Sequence, residues 1–522
     1  MKSHRDEIDK IDENIKKLIK RRLKLGEEIA TVKKAGGSPI LDLERMKTKS
    51  VKFADDKNPY AKNELSAIMS AIMSSTIHSE LHAIQKNMLF GLIGKNISSS
   101  LSPPLHKLFG LYKYNLFDIK NYKDADFINA DNFCGANITM PFKDNAFAAA
   151  NIKSHYAELS NSVNTLVKQK GTLYGFNTDV IGIDKTLDMH APKPLTSALI
   201  LGNGATSRSA CIALLNKGVN KIYIANRNNR QYFKTAAVKY INFKEISKLG
   251  HVDTVINATP EDEAISPYIE NLASVKFLLD MNYTSAHSHL MQIARKKGAK
   301  IINGLTPLIY QGIASFDIFC STFLADSINK DETSFAGIVK KALGNLYPSF
   351  EKIYSKLLLK AYNILIIGMP GCGKSHTAKT LGELANLPVI DIDDKIETHT
   401  KISNEEFILK NGIQDFRKTE EDITLEVLPK SGHIIAAGGG LVENAALMQT
   451  LSKRCIIIHI ETLPNELSTL ETSERPLSDS PSSISKLYAK RNPLYELYSD
   501  YTVSKNGNAA RQIAKLLNLA AN

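Results

Sequence analysis

The chain has 522 residues, a formal net charge of +12 and five cysteines. Its length predicts about three to five folding units, and its positive charge suits small acidic ligands as well as nucleic acids or membrane surfaces. The cysteines form no CxxC pair, which argues against a disulfide framework or zinc site and favours a cytoplasmic setting. A charged N-terminus and the lack of any apolar run of about 18 residues predict a soluble protein.

Residues 1–86 are predicted to be helical, with breaks at residues 36–39 and 55–60. Arg22 occupies one position of the apolar seam of the first helix, where an unpaired buried guanidinium is costly, so it either reaches solvent or meets an anion. Arg5 lies about 25 Å away along the helix axis, so only an antiparallel second chain brings it to the same ligand. The seam consists of Ile8, Ile11, Ile15, Leu18, Leu25, Ile29 and Val32.

This segment resembles the all-helical chorismate mutases, which form entwined dimers and take an arginine from the partner chain. The resemblance implies a homodimer and a site for a dicarboxylate, with Lys33 stabilising the developing charge on the ether oxygen. The family also has a hydrogen-bond donor on its last helix, which Glu80 or Gln85 could supply here. We choose Glu80 because it shares the face of Met69, Ile72 and Thr76. We expect Glu80 to act protonated, because a carboxylate would repel the substrate. The other implied site residues are Arg5, Arg22, Asp42 and Arg45.

Met46 stands where that family commonly has glutamate. The alternative for residues 1–86 is therefore a non-catalytic module that dimerises the chain or senses a ligand.

From residue 88 to residue 347, short apolar runs alternate with helical stretches, which predicts two α/β lobes with parallel sheets. We place the lobes at residues 88–190 and 191–305, followed by return helices to residue 347. Gly202 and Gly204 follow a strand and open a helix, as a pyrophosphate site requires. Asn226 and Arg227 end the next strand, and the arginine favours the 2′-phosphate of NADP.

The ordered motifs "SSSLSPPLHKLF", "GANITMPFK", "NSVNTLV", "GFNTD" and "LILGNGATSRSA" resemble shikimate dehydrogenase. The resemblance implies reduction of 3-dehydroshikimate, with Lys143 and Asp179 handling the proton. It also implies that Ala205 binds NADP together with Gly202, Gly204, Asn226 and Arg227. The substrate-binding residues that it implies are Ser100, Ser102, Thr139, Asn164 and Gln311.

Two departures from this family are Pro307 in place of a methionine and a missing glycine–methionine after "NATP". A rival hypothesis for this segment is oxidation of quinate with NAD.

Residues 361–522 open with a strand and the stretch "IIGMPGCGKSHTAK". Gly368, Gly373, Lys374 and Ser375 match GxxxxGK[ST], in which backbone amides cradle phosphates, the lysine reaches the outer phosphates and the serine holds Mg²⁺. Gly371 lies within the same loop. This motif predicts ATP binding.

The downstream motifs "DIDD", "DFRKTE", "AAGGG", "ERPLS" and "KRNPLYE" resemble shikimate kinase. Asp391 and Asp393 are two residues apart at a predicted strand end, so their carboxylates are expected to point to one side. The resemblance implies that Asp391 positions Mg²⁺, that Asp393 binds and deprotonates the ring hydroxyl, and that Arg475 covers the nucleotide phosphates. A lid between Leu467 and Arg475 is shorter than usual. The residues implied to grip the substrate carboxylate are Arg417, Gly438, Gly439, Gly440 and Arg491.

The sequence therefore predicts a multidomain protein: an all-α module, a two-lobed α/β region with a Rossmann NADP lobe, and a P-loop kinase region. Its predicted function is multifunctional shikimate-pathway catalysis that uses NADP, ATP and Mg²⁺. Its expected partners are small anions, including chorismate, and a second copy of the chain. Basic residues and aromatics do not interleave, so neither nucleic acid nor membrane is expected as a partner.

Overall fold

A computed structural model describes residues 2–35, part of 68–83, 88–227, 230–260, 265–324, 328–343, 347–462, 481–505 and 508–519. Helix α1 spans Lys2–Ala35, and the glycine pair at residues 36–37, where a break was expected, lies outside the described residues. The described residues between 68 and 83 are helical. In the part of the chain described, no helix is both long and apolar enough to cross a bilayer.

The first sheet has six strands in the order β2-β1-β3-β5-β6-β4. Strands β1, β2 and β3 are parallel, as predicted, but β3–β5 and β5–β6 are antiparallel. Lys170 and Gly171, both at positive φ (50° and 78°), connect β5 to β6 and form a two-residue hairpin that the alternating pattern did not reveal. The strands are β1 (Leu89–Gly94), β2 (Tyr114–Asp118), β3 (Phe133–Ile138), β4 (Ile152–Lys153), β5 (Thr165–Gln169) and β6 (Thr172–Phe176).

Helices accompany this sheet and supply several of the predicted site residues. Residues 122–129 form a 3₁₀ helix. An apolar core that includes Ile93, Phe133 and Leu166 lies against the sheet. The helices are α2 (Ser102–Phe109), α3 (Lys143–Ala149), α4 (His155–Ser160) and α5 (Thr178–His190).

The second sheet is Rossmann-like, with the strand order β12-β11-β10-β7-β8-β9. Strands β7, β8, β9 and β10 pair in parallel, and the buried apolar runs of β7, β8 and β10 are typical of a sheet covered on both faces. The strands are β7 (Ser197–Leu201), β8 (Lys221–Asn226), β9 (Val238–Asn242), β10 (His251–Asn257), β11 (Ser274–Asp280) and β12 (Lys300–Asn303). The helices are α6 (Ala205–Asn216), α7 (Ser266–Glu270), α8 (His289–Lys296), α9 (Leu305–Leu324), α10 (Phe335–Leu343) and α11 (Phe350–Ala361), with a 3₁₀ helix at Phe243–Lys248.

The third sheet is parallel throughout, in the order β14-β15-β13-β16-β17. It confirms the predicted α/β fold of the C-terminal region, with an apolar core that includes Leu365, Phe416 and Ile457. The strands are β13 (Asn363–Gly368), β14 (Val389–Asp391), β15 (Ile434–Ala436), β16 (Cys455–Glu461) and β17 (Tyr501–Ser504). The helices are α12 (Lys374–Ala385), α13 (Ile392–Thr400), α14 (Asn404–Val427), α15 (Ala445–Arg454), α16 (Pro481–Tyr498) and α17 (Ala509–Leu516), with a 3₁₀ helix at Leu441–Glu443.

The chain divides into two compact units. The first contains residues 1–259, 272–279 and 306–350. The second contains residues 260–271, 280–305 and 351–522, so part of the Rossmann-like segment is grouped with the third sheet.

Within the second unit, Asp500 joins residues of these two segments. Its carboxylate accepts hydrogen bonds from His287 Nε2 at 2.8 Å, Arg295 Nη2 at 2.7 Å and the Ile457 amide at 2.8 Å. Burial alone would raise the pKa of Asp500, but these cationic and amide donors outweigh it and lower the pKa below its usual value. Hydrogen-bond donors from both segments therefore compensate for the burial of this carboxylate.

Within the first unit, α9 buries an aspartate that keeps its proton. Asp317 is 3% exposed and accepts a hydrogen bond from the Tyr347 hydroxyl at 2.9 Å, while its Oδ1 has no partner among the described residues. Burial raises the pKa of Asp317 to about 7, against the opposing effect of the Tyr347 hydrogen bond.

Replacing Asp317 with asparagine should flatten the pH dependence of stability. The folded protein holds this proton up to about pH 7, whereas the unfolded chain releases it near 3.8, so stability falls as pH rises through that window. The slope is roughly 1 kcal/mol per pH unit. Denaturant unfolding at pH 5 and pH 8 measures the difference in the free energy of unfolding. Hydrogen exchange of the α9 amides at the same pH values reports on this helix. Asp126→Asn, which changes an exposed carboxylate of the same unit, is the control; equal slopes in Asp317→Asn and the parent would contradict the expectation.

Candidate functional sites

Arg22 of α1 points to the helical residues 68–80. Its Nη1 donates to the Thr76 hydroxyl and to the Ile72 carbonyl at 3.4 Å. Arg22 is half-buried, and polar groups of the neighbouring helix bind part of its guanidinium. These bonds leave further guanidinium donors for an anionic ligand.

Gly26 allows the two helices to approach closely. A Cβ at this position would lie 2.7 Å from Thr76 Cγ2 and 3.1 Å from Glu80 Oε1. Glu80 therefore lies against α1 on the face that also carries Thr76, as the helical spacing predicted. Lys33 is half-buried and Arg5 is exposed, while Asp42 and Arg45 lie outside the described residues.

The apolar seam of α1 is exposed in the single chain. Ile8 is 55% exposed, Leu18 66% and Val32 72%. A row of apolar side chains at helical spacing is a surface suited to a further helix.

In the central segment, Lys143 and Asp179 form an ion pair between Nζ and Oδ2, with side chains only 12% and 14% exposed. Lys143 is the first residue of α3, and Asp179 lies in the first turn of α5. Two helix N-termini thus place an acid and a base in direct contact across 36 residues of sequence. The contact confirms that the predicted pair lies together.

The Asn164 amide holds the Asp179 carboxylate. Asn164 Nδ2 donates to Asp179 Oδ1 at 2.8 Å and to Thr178 Oγ1 at 3.0 Å. Gln311 Oε1 accepts from Thr178 Oγ1 at 3.2 Å, so the predicted residues Asn164 and Gln311 join the same cluster. Thr178 was missed from the sequence, although it lies in the quoted motif "GFNTD" beside Asp179.

The other predicted residues of this lobe lie at the ends of its elements. The Ser102 amide donates to Ser100 Oγ at 3.2 Å at the start of α2. Thr139 directly follows β3, and its amide donates to the Ile93 carbonyl at 2.9 Å.

The turn after β7 has the backbone shape of a phosphate site. Gly202 has φ +102°, a conformation that favours glycine, and Gly204 is the N-cap of α6 with open space where a Cβ would be. Ser207 Oγ in the first turn of α6 is buried and has no hydrogen-bond partner among the described residues. An unpaired hydroxyl beneath a helix N-terminus fits a bound phosphate oxygen.

Asn226 is buried at the end of β8, and Arg227 beyond it is exposed. The structure adds Arg230, which the sequence did not single out. Its carbonyl accepts from Asn203 Nδ2 at 2.7 Å, and its guanidinium carbon lies 4.6 Å from the centre of the Tyr232 ring. The sequence signal that could have identified Arg230 is the second arginine of "NRNNR", shortly after Arg227.

In the C-terminal segment, Gly371 and Gly373 have φ of +81° and +91° and shape the loop between β13 and α12. Lys374 is 8% exposed, and its ammonium donates to the carbonyls of Gly368 and Met369, both at 3.2 Å. Ser375 is exposed beside it. Lys505, which sequence reasoning missed, also reaches this loop, donating to the Gly371 carbonyl at 3.4 Å.

Asp391 and Asp393 were predicted to share a strand end, and this is wrong for Asp393. Strand β14 ends at Asp391, whose side chain caps α13 by accepting the Asp393 amide at 3.1 Å. The two carboxylates are neighbours because of a helix cap rather than a strand pleat. Burial, reinforced by Asp391, raises the pKa of Asp393 against the opposing charges of Lys374 and Arg417.

Asp391 Oδ2 is buried and forms no hydrogen bond within the described part of the chain. An unpaired carboxylate oxygen beside a phosphate loop fits Mg²⁺, which prefers oxygen ligands.

Glycines create the space that Arg417 occupies. A Cβ at Gly440 would overlap the Arg417 guanidinium, and a Cβ at Gly438 would meet Glu420 and lie 3.0 Å from Asp393 Oδ1. Arg417 Nη1 forms an ion pair with Glu420 Oε2 at 2.6 Å. Glu420, missed from the sequence, is 2% exposed, and its burial raises its pKa against the effect of Arg417.

Arg491 approaches the same glycine run from α16. It is 3% exposed, and its Nε donates to Glu443 Oε1 at 2.5 Å. The Tyr495 hydroxyl donates to the Gly439 carbonyl at 2.6 Å and ties α16 to the run. Arg475 and the lid lie outside the described residues.

Four family models match consecutive parts of the chain. Chorismate mutase type II matches residues 4–81, and the shikimate dehydrogenase substrate binding domain matches residues 92–166. Shikimate / quinate 5-dehydrogenase matches residues 192–276, and shikimate kinase matches residues 370–520. The predicted fusion of three enzyme types is confirmed.

Curated relatives match the central part. The chain is 32% identical over 251 residues to a shikimate dehydrogenase (NADP(+)) of Clostridium botulinum, covering 44% of this chain and 95% of the relative. It is 33% identical over 242 residues to the corresponding protein of Ignicoccus hospitalis, covering 44% and 91%. Among solved structures, a chorismate mutase/shikimate 5-dehydrogenase fusion protein of Clostridium acetobutylicum has 26% identity and a TM-score of 0.40, covering 50% of this chain and 99% of that chain.

The chain therefore belongs to the shikimate dehydrogenase family through its central segment, and it carries flanking segments that match the chorismate mutase type II and shikimate kinase families.

Proposed function

We propose that the chain is a multifunctional shikimate-pathway enzyme. Residues 88–347 reduce 3-dehydroshikimate to shikimate with NADPH, residues 361–522 phosphorylate shikimate with ATP, and residues 1–86 rearrange chorismate to prephenate. The observation that carries the proposal is the half-buried Lys143–Asp179 pair beside Asn164 and Gln311, in a chain that also contains a complete phosphate loop. The product of the central segment is then the substrate of the segment that follows.

In the dehydrogenase, Asn164, Thr178 and Gln311 orient the substrate's polar groups beside the pair. Lys143 donates a proton to the ketone oxygen, and Asp179 holds the ammonium against that oxygen. Gly202, Gly204, Ala205 and Ser207 would hold the NADP diphosphate, and Asn226 with Arg227 would take the adenosine end. NADPH supplies the hydride when bound.

In the kinase, Arg417 and Arg491 bind the substrate carboxylate, with Glu420 and Glu443 orienting the two guanidinium groups. Asp393 accepts the proton of the attacking hydroxyl, a task that its raised pKa suits. Ser375 and Asp391 would hold Mg²⁺, which neutralises phosphate charge, and Arg475 would lie over the nucleotide phosphates.

In the mutase, Arg22 holds the dicarboxylate folded, Lys33 stabilises the developing charge on the ether oxygen, and Glu80 donates a hydrogen bond. The exposed seam of α1 supports a homodimer in which a partner helix covers it and delivers its Arg5. Sedimentation velocity of the full chain measures this assembly. A non-catalytic dimerising module would show the same assembly without prephenate formation.

Lys143→Ala should lower the rate of NADPH-dependent reduction by about 100-fold or more, because the proton donor is lost. A one-pot assay follows 3-dehydroshikimate with NADPH and then ATP to shikimate 3-phosphate. Lys153→Ala is the matched control, because Lys153 donates to the Ala150 carbonyl at 2.7 Å and lies 5.1 Å from the centre of the Phe147 ring. A parent that oxidises quinate with NAD faster than it handles shikimate with NADP would refute the assignment.

Gly440→Ala should raise the KM for shikimate about tenfold or more while leaving the KM for ATP within twofold. The added methyl displaces Arg417 and not the phosphate loop. Gly412→Ala strains the same helix as Arg417, at φ +86°, without touching Arg417, so it controls for lost stability. An unchanged shikimate KM in Gly440→Ala would remove Arg417 from the substrate site.

Glu80→Gln should retain mutase activity at alkaline pH, where the parent loses it, because an amide donates a hydrogen bond without ionising. Prephenate formation by the full chain from pH 5 to pH 9 measures both profiles. Glu28→Gln, on the exposed side of α1, should follow the parent. Identical profiles for Glu80→Gln and the parent would show that Glu80 is not the donor.

A further inference from the structure

Two consecutive residues of α6, Arg208 and Ser209, contact the substrate lobe. α6 begins at the turn that fits the cofactor diphosphate, and both residues are almost fully buried, at 3% and 0% exposed. The dehydrogenase mechanism above uses neither of them.

Arg208 reaches the helix that carries Lys143. Its Nη2 forms an ion pair with Asp144, the residue after Lys143 on α3. Its Nε donates to the Ser160 carbonyl at 2.5 Å and its Nη2 to the Asn161 carbonyl at 3.3 Å, so the end of α4 fixes the plane of the guanidinium. The Tyr232 ring, 4.4 Å from the guanidinium carbon, stacks on that plane.

Ser209 reaches the helix that carries Asp179. The Asn177 side chain, 0% exposed, donates from Nδ2 to Ser209 Oγ at 3.0 Å and to Ser160 Oγ at 2.7 Å. Asn177 Oδ1 in turn accepts the Asp179 amide at 3.1 Å and caps α5. The Asn177 side chain thus links Ser209 Oγ to the Asp179 backbone amide through two hydrogen bonds.

The contacts form a closed ring. It runs from Arg208 to Asp144 and its neighbour Lys143, across the ion pair to Asp179, through Asn177 to Ser209, and back along α6 to Arg208. Asp144 is 60% exposed, whereas Arg208, Ser209 and Asn177 are buried. Buried polar groups that are paired resist displacement, because any shift leaves a donor or acceptor unsatisfied.

We propose that Arg208 and Ser209 are positioning residues that hold the Lys143–Asp179 pair in register with the cofactor-binding end of α6. The inference rests on the proposed dehydrogenase function and adds two residues to it. The pair must lie within about an ångström of its productive position relative to the cofactor, and the ring is the connection that fixes that distance.

The test compares Ser209→Ala, Arg208→Ala, Arg208→Lys and Asp144→Ala in the full chain. Ser209→Ala and Arg208→Ala should lower the kcat of reduction about tenfold or more, with the KM values for both substrates within about threefold. Arg208→Lys, which keeps a charge for Asp144 but cannot span both carbonyls, should fall between Arg208→Ala and the parent. If the ring acts through Asp144, Arg208→Ala combined with Asp144→Ala should be no slower than Arg208→Ala alone.

Asn216→Ala is the matched control, because Asn216 Nδ2 also joins α6 to α4, donating to the Tyr156 hydroxyl at 3.3 Å, but lies outside the ring. The kinase rate of each variant reports on the folding of the rest of the chain. Hydrogen exchange in the cofactor-free protein gives a readout independent of activity. Amides of the first turns of α3 and α5 should exchange about tenfold faster in Ser209→Ala and at the parent rate in Asn216→Ala.

The outcomes separate this inference from the function on which it rests. A parent that does not reduce 3-dehydroshikimate overturns the proposed function, and hydrogen exchange still tests the ring. An active parent whose Ser209→Ala and Arg208→Ala variants keep their kcat overturns the positioning role. A fall in thermal stability and kinase rate together with kcat would reduce both residues to a structural role and equally contradict the proposal.

Discussion

The contact between Lys143 and Asp179 is the constraint on which the central segment depends. Two opposite charges that are mostly withdrawn from water stabilise one another only while their geometry is kept. The chain meets this requirement by placing each charge at the N-terminus of a helix and by supplying the Asn164 amide as a partner for the carboxylate. Loss of either partner leaves a largely buried charge uncompensated.

In the C-terminal segment, largely buried charges are also held in pairs, but by different residues. Arg417 and Arg491 each approach the glycine run paired with a glutamate, so the orientation of both guanidinium groups is fixed by residues of the chain itself. The glycines of this run matter because they have no side chain: a methyl group at Gly440 would occupy the place of the Arg417 guanidinium. Gly26 acts similarly in the helical segment, where it brings Glu80 against α1.

Much of the fold was predictable because its signals are local. The GxxxxGK[ST] spacing and the strand and helix on either side of that loop depend on residues close in sequence. The antiparallel β5–β6 hairpin was missed because its turn, Lys170–Gly171, lacks the strongest turn dipeptides. Asp393 was misplaced because a short strand followed at once by a helix cap looks like a longer strand.

By itself the sequence determined the phosphate loop, since GxxxxGK[ST] is recognisable from residue type and spacing, whereas Lys143 and Asp179 were singled out through the resemblance of the surrounding motifs to a known family. The tertiary structure decided which partners complete those residues: Thr76 for Arg22, Glu420 for Arg417, and the ring from Arg208 to Asn177 around Lys143 and Asp179. The reason is physical. Local spacing sets backbone conformation over a turn or two, whereas a buried polar group takes its partner from whatever distant element the sheet brings beside it.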